Sequence, residues 1–523
     1  MEHLNPPTNM LQSYIERILR ARVYDVAIET PMDHAPMLSR RYGNALYIKR
    51  EDLQPVFSFK LRGAYNKIAS LDSASRKAGV IAASAGNHAQ GVALAGQKLG
   101  IRTLIVMPCT TPEIKIKAVQ QRGGETLLCG DSYDEAYEYA KRLGMEQKLT
   151  FVHPYDDPEV IAGQGTIGME LLRQIRHYRP FDGDIHAIFV PVGGGGLIAG
   201  IAAYVKFVRP DIKVIGVEPD DADCLNQALQ AGERIILKQV GLFADGVAVK
   251  QAGAEPFRIA QHYVDGVITV NTDEICAAIK DIFDDTRSVA EPAGALGIAG
   301  MKKYIEQTGI SNQCLIAIES GANINFDRLR HVAERAQMGE QRELLLAVTI
   351  PEQPGSFLTF CETLGRRGIT EFNYRYFDCQ AAQVFLGVEI SGTGNDRENL
   401  MQQLSEAGYT VTNMTGNELA IDHIRYMVGG HAPKLMDEVV YSFEFPERPG
   451  ALLKFLTTMG GRWNISLFHY RNHGAAYGRV LIGLQVKPAE RAQFREFLES
   501  MTFAWREETE NPAYRMFAGG SER

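Results

Sequence analysis

From about residue 46 to 320, short apolar runs alternate with longer segments of helical pattern, and this alternation constrains the fold of the 523-residue chain more than any other feature. The strand-like runs are GVIAAS (79–84), RTLIVMP (102–108), ETLLCG (125–130), LTFVHP (149–154), HAIFVPV (186–192), KVIGVEP (213–219) and CLIAIES (314–320). Most are continuously apolar rather than alternating, as a strand covered on both faces requires. Helical segments of about a dozen residues or more separate them, long enough for crossover βα units and a parallel sheet. A helix precedes them, with the stripe Leu11, Tyr14, Ile15, Ile18 and Leu19 at i, i+3, i+4 spacing. The charged stretch 327–343 reads as a short helix closing this α/β region, and Arg176–Asp184 as a long surface loop within it.

Beyond that boundary the chain repeats itself. PEQPGSFLTF (351–360) returns as PERPGALLKF (446–455), EFNYRYF (371–377) as LFHYRNH (467–473), and VFLGVEI (384–390) as VLIGLQV (480–486). The offset is 95 for the first pair and 96 for Tyr374/Tyr470, Arg375/Arg471 and the last pair. Three motifs in register with one single-residue slip mark a duplication. Each copy reads strand, Pro-Gly loop, helix, strand, strand, helix, strand, the ferredoxin-like α+β order. The expected domains are therefore 1–335, 342–416 and 438–515.

Composition excludes several classes. A formal net charge of −8 leaves no global basic field for nucleic acid. No apolar run reaches membrane-spanning length, and MEHLNPPTNM lacks the basic-then-apolar opening of a signal peptide, so the expected location is the cytoplasm. Seven cysteines without a CxxC pair, and twelve histidines without HExxH, suggest neither a disulfide framework nor a metal site.

Chemistry concentrates in four short segments. HAIFVPV runs into Gly193, Gly194, Gly195 and Gly196 and then a helical pattern, so backbone N–H groups can converge on an anion where the helix dipole favours one. One or two glycines would suffice for a tight turn. Four favour close approach of a phosphate. Gly194-x-Gly196-x-x-Ala199 also satisfies the relaxed dinucleotide fingerprint, with Glu218 ending the next strand about twenty residues on. Lys60, in Ser58-Phe59-Lys60, starts a helix, where spacing alone favours a solvated surface lysine, but its apolar neighbours Val56, Phe57, Phe59 and Leu61 would desolvate an amine, lower its pKa and make it a usable nucleophile. Ser84-Ala85-Gly86-Asn87-His88 joins a buried strand to a helix and offers a second anion-suited loop, its plainer reading being a helix cap by Ser84 or Asn87. Ser320-Gly321-Ala322-Asn323 ends the last parallel strand, on the edge where α/β sheets place ligands.

Together SFKLRGA, SAGNHAQG, the tetraglycine loop and ESGAN resemble the fold-type II (tryptophan synthase β-like) pyridoxal-phosphate enzymes, and among them the threonine/serine dehydratases. With the duplicated module, nearly the whole chain resembles the biosynthetic threonine deaminase family. The resemblance implies a catalytic region of two parallel-sheet subdomains followed by two ACT-like regulatory domains. It implies pyridoxal 5'-phosphate as cofactor, L-threonine (and L-serine) as substrate, isoleucine and valine as allosteric effectors, and a homotetramer. By the same resemblance Lys60 is the Schiff-base lysine and general base. Gly193, Gly194, Gly195, Gly196 and Leu197 hold the phosphate, Asn87 bonds the ring hydroxyl, Ser320 faces the pyridine nitrogen and Phe59 lies near the ring. Ser84, Ala85, Gly86, Asn87 and His88 are the expected substrate-carboxylate loop. Tyr374, Arg375, Tyr470 and Arg471 are the expected effector residues, near the Pro-Gly loops; their plainer reading is cross-strand packing. A racemase or cysteine synthase of the same cofactor fold would not normally carry the duplication, and a module reduced to amino-acid sensing would show a damaged Lys60 or glycine loop.

Overall fold

The computed structural model describes residues 8–175, 184–326, 328–340, 342–376, 381–390 and 395–417, then shorter stretches to 518, chiefly 435–446, 451–459, 461–471, 477–501 and 504–511. Most of the expected loop at Arg176–Asp184, the second Pro-Gly loop at 447–450 and the side chain of Arg471 lie outside the described residues. The chain divides into two units, Met1–Gly339 and Glu340–Arg523.

The first unit holds two parallel sheets. The larger has six strands in the order Met32–His34, Ala45–Arg50, Cys314–Glu319, Ile185–Pro191, Lys213–Pro219, Gly266–Val270. Only the edge strand Met32–His34 runs antiparallel to its neighbour. The smaller has four strands, ordered Glu125–Leu128, Thr103–Met107, Val80–Ala83, Thr150–Phe151, all parallel. Ala45–Arg50, Val80–Ala83, Thr103–Met107 and Cys314–Glu319 are buried almost throughout, which is why their sequences run apolar without alternation. The run at 149–154 shrinks to a two-residue strand, and Pro154 at its end lines the cavity described below. Sequence periodicity missed Met32–His34 and Gly266–Val270, the short strands at the two edges of the larger sheet. Helix Thr8–Arg20 buries Tyr14 and Ile18 against helices Pro158–Gln174 and Gly196–Val208, while Leu19 at the margin of its predicted stripe stays exposed.

One ionic cluster inside this unit fixes the element that carries Lys60. Arg62, in the first turn of helix Lys60–Ala69, donates to Glu170 at 2.6 Å and to Glu51 at 2.8 Å. Lys49 reaches the second oxygen of Glu170 at 2.6 Å. All four side chains are fully buried. Two cations and two carboxylates thus lock strand, helix and helix in register, an arrangement that tolerates burial only because every charge is paired. Close backbone contact does the rest. A Cβ on Gly91 would stand 3.1 Å from the Leu61 backbone, so helix Asn87–Leu99 can lie directly on the start of the Lys60 helix.

The second unit is a single antiparallel sheet of eight strands, ordered Thr410–Asn413, Glu343–Pro351, Ala381–Glu389, Ile369–Arg375, Asn464–Arg471, Tyr477–Gln485, Glu438–Pro446, Trp505–Glu507. Each half has the strand-helix-strand-strand-helix-strand order read from the repeat. The halves join edge to edge at the fourth and fifth strands, where Phe372 faces Tyr470 and Tyr374 faces Phe468. With an offset of 96 those two pairs are the same pair exchanged, so a pseudo-twofold axis passes through Asn373 and His469. Leu344, Leu346, Val348 and Ile350 alternate into the core, the period expected of a sheet covered on one face.

Candidate active site

Four loops at the carboxyl ends of parallel strands meet in one cavity of about 640 Å³ in the first unit. Its walls include Phe59, Lys60, Ser84, Ala85, Gly86, Asn87, His88, Gly193, Gly194, Gly195, Gly196, Leu197 and Ser320, so every catalytic-region residue singled out in the sequence lines the same space. Two thirteen-residue helices begin at its wall, Asn87–Leu99 and Gly196–Val208, and no side chain caps either one. Gly86 and Gly195 stand at the capping positions, and Ser84 instead accepts from the Gly86 N–H at 3.2 Å. Two uncapped helix starts in one cavity suit two anionic groups, a phosphate and a carboxylate.

Lys60 projects into this cavity and donates to the carbonyl of Pro154 at 3.1 Å. Burial pushes its amine down to about 8, against the opposing pull of Glu291. Of the apolar neighbours, the Phe59 ring lies 5.3 Å from the amine, whereas Val56 and Leu61 pack away from it against Val23 and Ala27; Phe57 is half exposed, with its backbone in the left-handed region at φ 56°. Bonds from Phe57 N–H to Gln54 at 2.7 Å and from Ala322 N–H to the Phe57 carbonyl at 2.9 Å hold that strained residue in place. Ser320 is buried and spends its hydroxyl proton on the Ala293 carbonyl at 3.3 Å. His88 donates to the Val152 carbonyl at 2.9 Å and burial drives it down to about 3, so it stands in the wall as a neutral ring.

The glycine loop has a tighter reason than its sequence discloses. A Cβ on Gly194 would fall 2.3 Å from the Tyr155 ring, one on Gly196 would fall 2.8 Å from the Tyr155 carbonyl, and one on Gly193 would press the Val247 backbone. Gly195 has φ 91°, which only glycine adopts readily. Protein packing and loop conformation therefore demand all four, and the helix N-terminus they expose follows from that packing. The dinucleotide alternative fails at its acidic residue. Glu218 is buried and accepts from the N–H groups of Leu225 at 2.9 Å and Asn226 at 2.8 Å, leaving it no free face toward a ribose.

Sequence reasoning missed Tyr155, Pro154 and Glu291. The first two follow a parallel strand in HPYDD, a polar cluster at the edge where ligands lie. Glu291 immediately precedes helix Pro292–Thr308 in EPAG and carried no periodic signal.

In the second unit Tyr374 is buried, packs edge-on against Phe357 with ring centroids 5.0 Å apart, and donates its hydroxyl to Glu352. Arg375 is bound to Glu438, to the Ser466 carbonyl at 3.2 Å and to the Ala518 carbonyl at 2.6 Å. Tyr470 sits half-buried at the equivalent place. The crevice where the first Pro-Gly loop meets Trp463, Asn464 and Ile465 encloses only about 10 Å³. Room for an amino acid lies elsewhere, in a cavity of about 420 Å³ lined by Asn373, Tyr374, Arg375, Phe385, Met414, Asn417, Ala420, Ile424 and Met427.

Residues 23–319 match the family "Pyridoxal-phosphate dependent enzyme", and residues 334–424 and 429–518 each match the "C-terminal regulatory domain of Threonine dehydratase". The chain is 56% identical over 507 residues to the L-threonine dehydratase biosynthetic IlvA of Burkholderia multivorans, covering 96% of this chain and 99% of that protein. It is 52% identical over 507 residues to the Escherichia coli protein of the same description, covering 97% of each. Among solved structures, the processed form of threonine deaminase isoform 2 from Solanum lycopersicum superposes with a TM-score of 0.61 and 50% identity, over 63% of this chain and 94% of that one.

Proposed function

The chain belongs to the pyridoxal-phosphate dependent enzyme family and carries the regulatory domain of threonine dehydratase twice, and from that premise we propose how its residues act. It is a lyase that converts L-threonine to 2-oxobutanoate and ammonia. The water lost from Cα and Cβ returns when the released enamine hydrolyses, so the net reaction consumes only threonine. The cavity fits the cofactor: a buried lysine amine pushed down to about 8, a helix start exposed by four packed glycines, and a buried serine line the same space. Bound pyridoxal phosphate supplies the electron sink that lets the Cα proton and the β-hydroxyl leave.

Lys60 would hold the cofactor and, once displaced by substrate, take the Cα proton; an amine pushed down to about 8 carries far more free base at neutral pH than an ordinary lysine. The loop Gly193–Gly196 with Leu197 would bind the phosphate and Phe59 would flank the ring. Ser320 would face the ring nitrogen, where a neutral hydroxyl cannot hold that nitrogen charged as a carboxylate would. The segment Ser84–His88 would orient the substrate carboxylate at the start of helix Asn87–Leu99, as a neutral His88 leaves that work to backbone N–H groups.

The catalytic region 1–335 is followed by modules 342–416 and 438–515, which bind amino acids. Isoleucine as inhibitor and valine as its antagonist are the proposed ligands, near Tyr374, Arg375, Tyr470 and Arg471. The 420 Å³ cavity beside Tyr374 and Arg375 supports this placement, and its mostly apolar wall suits a branched side chain. The proposed working form is a cytoplasmic homotetramer; no helix among the described residues is long and apolar enough to cross a membrane.

The uncapped helix starts and the lysine in one cavity carry the catalytic reading. Its test is 2-oxobutanoate release from L-threonine by the purified protein, with and without isoleucine. Turnover is expected, suppressed by isoleucine and relieved by valine, and Lys60→Ala should lower it by about a thousandfold or more. Turnover untouched by isoleucine would remove the effector assignment while leaving the lyase; a fully active Lys60→Ala would remove the role of that lysine.

A further inference from the structure

Glu291 hangs its carboxylate into the same cavity, 5% exposed, and no motif announced it. Its Oε1 accepts from Nδ2 of Asn87 at 2.5 Å. The other end of that amide, Asn87 Oδ1, accepts from Nδ2 of Asn323 at 2.6 Å. Asn323 is itself anchored, its Nδ2 also donating to the Val56 carbonyl at 2.8 Å. Glu291 has little room to swing: a Cβ on Gly321 would be 2.7 Å from its Oε1, and one on Gly246 would be 3.5 Å away.

The chemistry of a primary amide makes this arrangement directional. An amide has a donor end and an acceptor end of nearly the same shape, and only its partners decide which way it faces. Here an acceptor holds the donor end and a donor holds the acceptor end. A flip would set Asn87 Oδ1 against the Glu291 oxygen and its Nδ2 against the Asn323 amine, losing two buried hydrogen bonds at once.

We propose that Glu291 is a positioning residue that fixes the amide of Asn87, so that the one uncommitted Nδ2 hydrogen faces the cofactor's ring hydroxyl. Asn323 clamps the opposite end. A donor at that place favours the ring oxygen as its anion; a flipped amide would offer a carbonyl and favour the protonated hydroxyl. The inference rests on the reading of Asn87 as the ring-hydroxyl partner, and the parent enzyme's own cofactor spectrum tests that reading separately from the orientation.

Two variants at Glu291 separate orientation from bulk. Glutamine keeps an oxygen that accepts from Asn87, whereas alanine leaves the amide held at its Asn323 end alone. Cofactor dissociation constant, visible absorption and fluorescence of the bound cofactor, and kcat and KM are measured on each holoenzyme. Glu291→Ala should weaken cofactor binding about tenfold, shift the visible band, and lower kcat about ten- to a hundredfold with KM for threonine changed less than about threefold. Glu291→Gln should stay within about threefold of the parent in all of these. Asn323→Asp, nearly isosteric, sets an acceptor against Asn87 Oδ1 and should reproduce the band shift even where Glu291→Ala fails to fold. A Glu291→Ala enzyme with the parent spectrum and cofactor affinity, a Glu291→Gln enzyme as damaged as alanine, or an unshifted Asn323→Asp enzyme would each overturn the proposal. A parent spectrum unchanged by Asn87→Ala would instead remove the underlying role of Asn87.

Discussion

The first unit assembles its site from segments that occur once and lie up to about 260 residues apart, whereas the second carries each candidate residue twice on neighbouring strands. In the parallel sheets, chemistry collects at strand ends because crossover helices cover both faces and leave only the carboxyl edge open. In the antiparallel sheet the halves meet edge to edge, and the exchanged Phe–Tyr pairs place both copies at one seam. Position is thus set by topology in one unit and by symmetry in the other. The two also hold their charges differently. Arg62, Lys49, Glu51 and Glu170 form a closed buried cluster at the helix that carries Lys60, while Glu352 ties the two halves of the duplication together through Tyr374 and Asn464.

The largest expected effect breaks the first of these. Arg62→Ala leaves Glu51 and Glu170 buried with only Lys49 to balance them, and should cost about 3–5 kcal/mol of stability in a denaturant melt. A loss below about 1 kcal/mol would show that the cluster is not closed in solution. Gly194→Ala sets a methyl into the Tyr155 ring and should cost about 1–3 kcal/mol together with weaker cofactor retention. Adding Tyr155→Ala should restore part of that loss; if the double variant is no better than the single, the glycine is required by the phosphate rather than by Tyr155. The smallest effect sharpens the symmetry of the second unit. Asn464 donates to Glu352 at 2.9 Å and to Gln485 at 3.0 Å, but its counterpart by the repeat is Gly368, where a Cβ would meet the Glu389 carboxylate. Asn464→Ala should therefore cost about 1 kcal/mol, and should change the isoleucine concentration for half-inhibition if the two halves are distinct in function. An unchanged midpoint and an unchanged melt would make the seam functionally symmetric.

Much of this was legible before any coordinates. The apolar runs gave seven of the ten strands in the first unit and the strand-like ALYIKRED an eighth, because burial on both faces writes itself into local composition. The duplication gave the ferredoxin-like order of both halves. The candidate site was legible as four separate motifs, since each loop must join a strand to a helix and so shows its turn residues locally. What failed to show was what each motif is packed against. The tetraglycine loop reads as a phosphate cradle, yet Tyr155 and Val247 impose the glycines. Tyr374 and Arg375 read as effector residues beside a Pro-Gly loop, yet Tyr374 is buried, the two are held by Glu352 and Glu438, and the spacious cavity opens beside Met414, Asn417, Ala420, Ile424 and Met427.

The sequence by itself determined the class of each unit, the repeat, and the short segments that bear chemistry, since periodicity, turn residues and helix starts are properties of neighbouring residues. Only the tertiary structure decided which way Asn87 faces, why burial pushes the Lys60 amine down, and that Glu291 both holds Asn87 and opposes that shift. Those depend on atoms more than 200 residues apart in the chain brought within hydrogen-bond distance, and no local pattern records a contact of that kind.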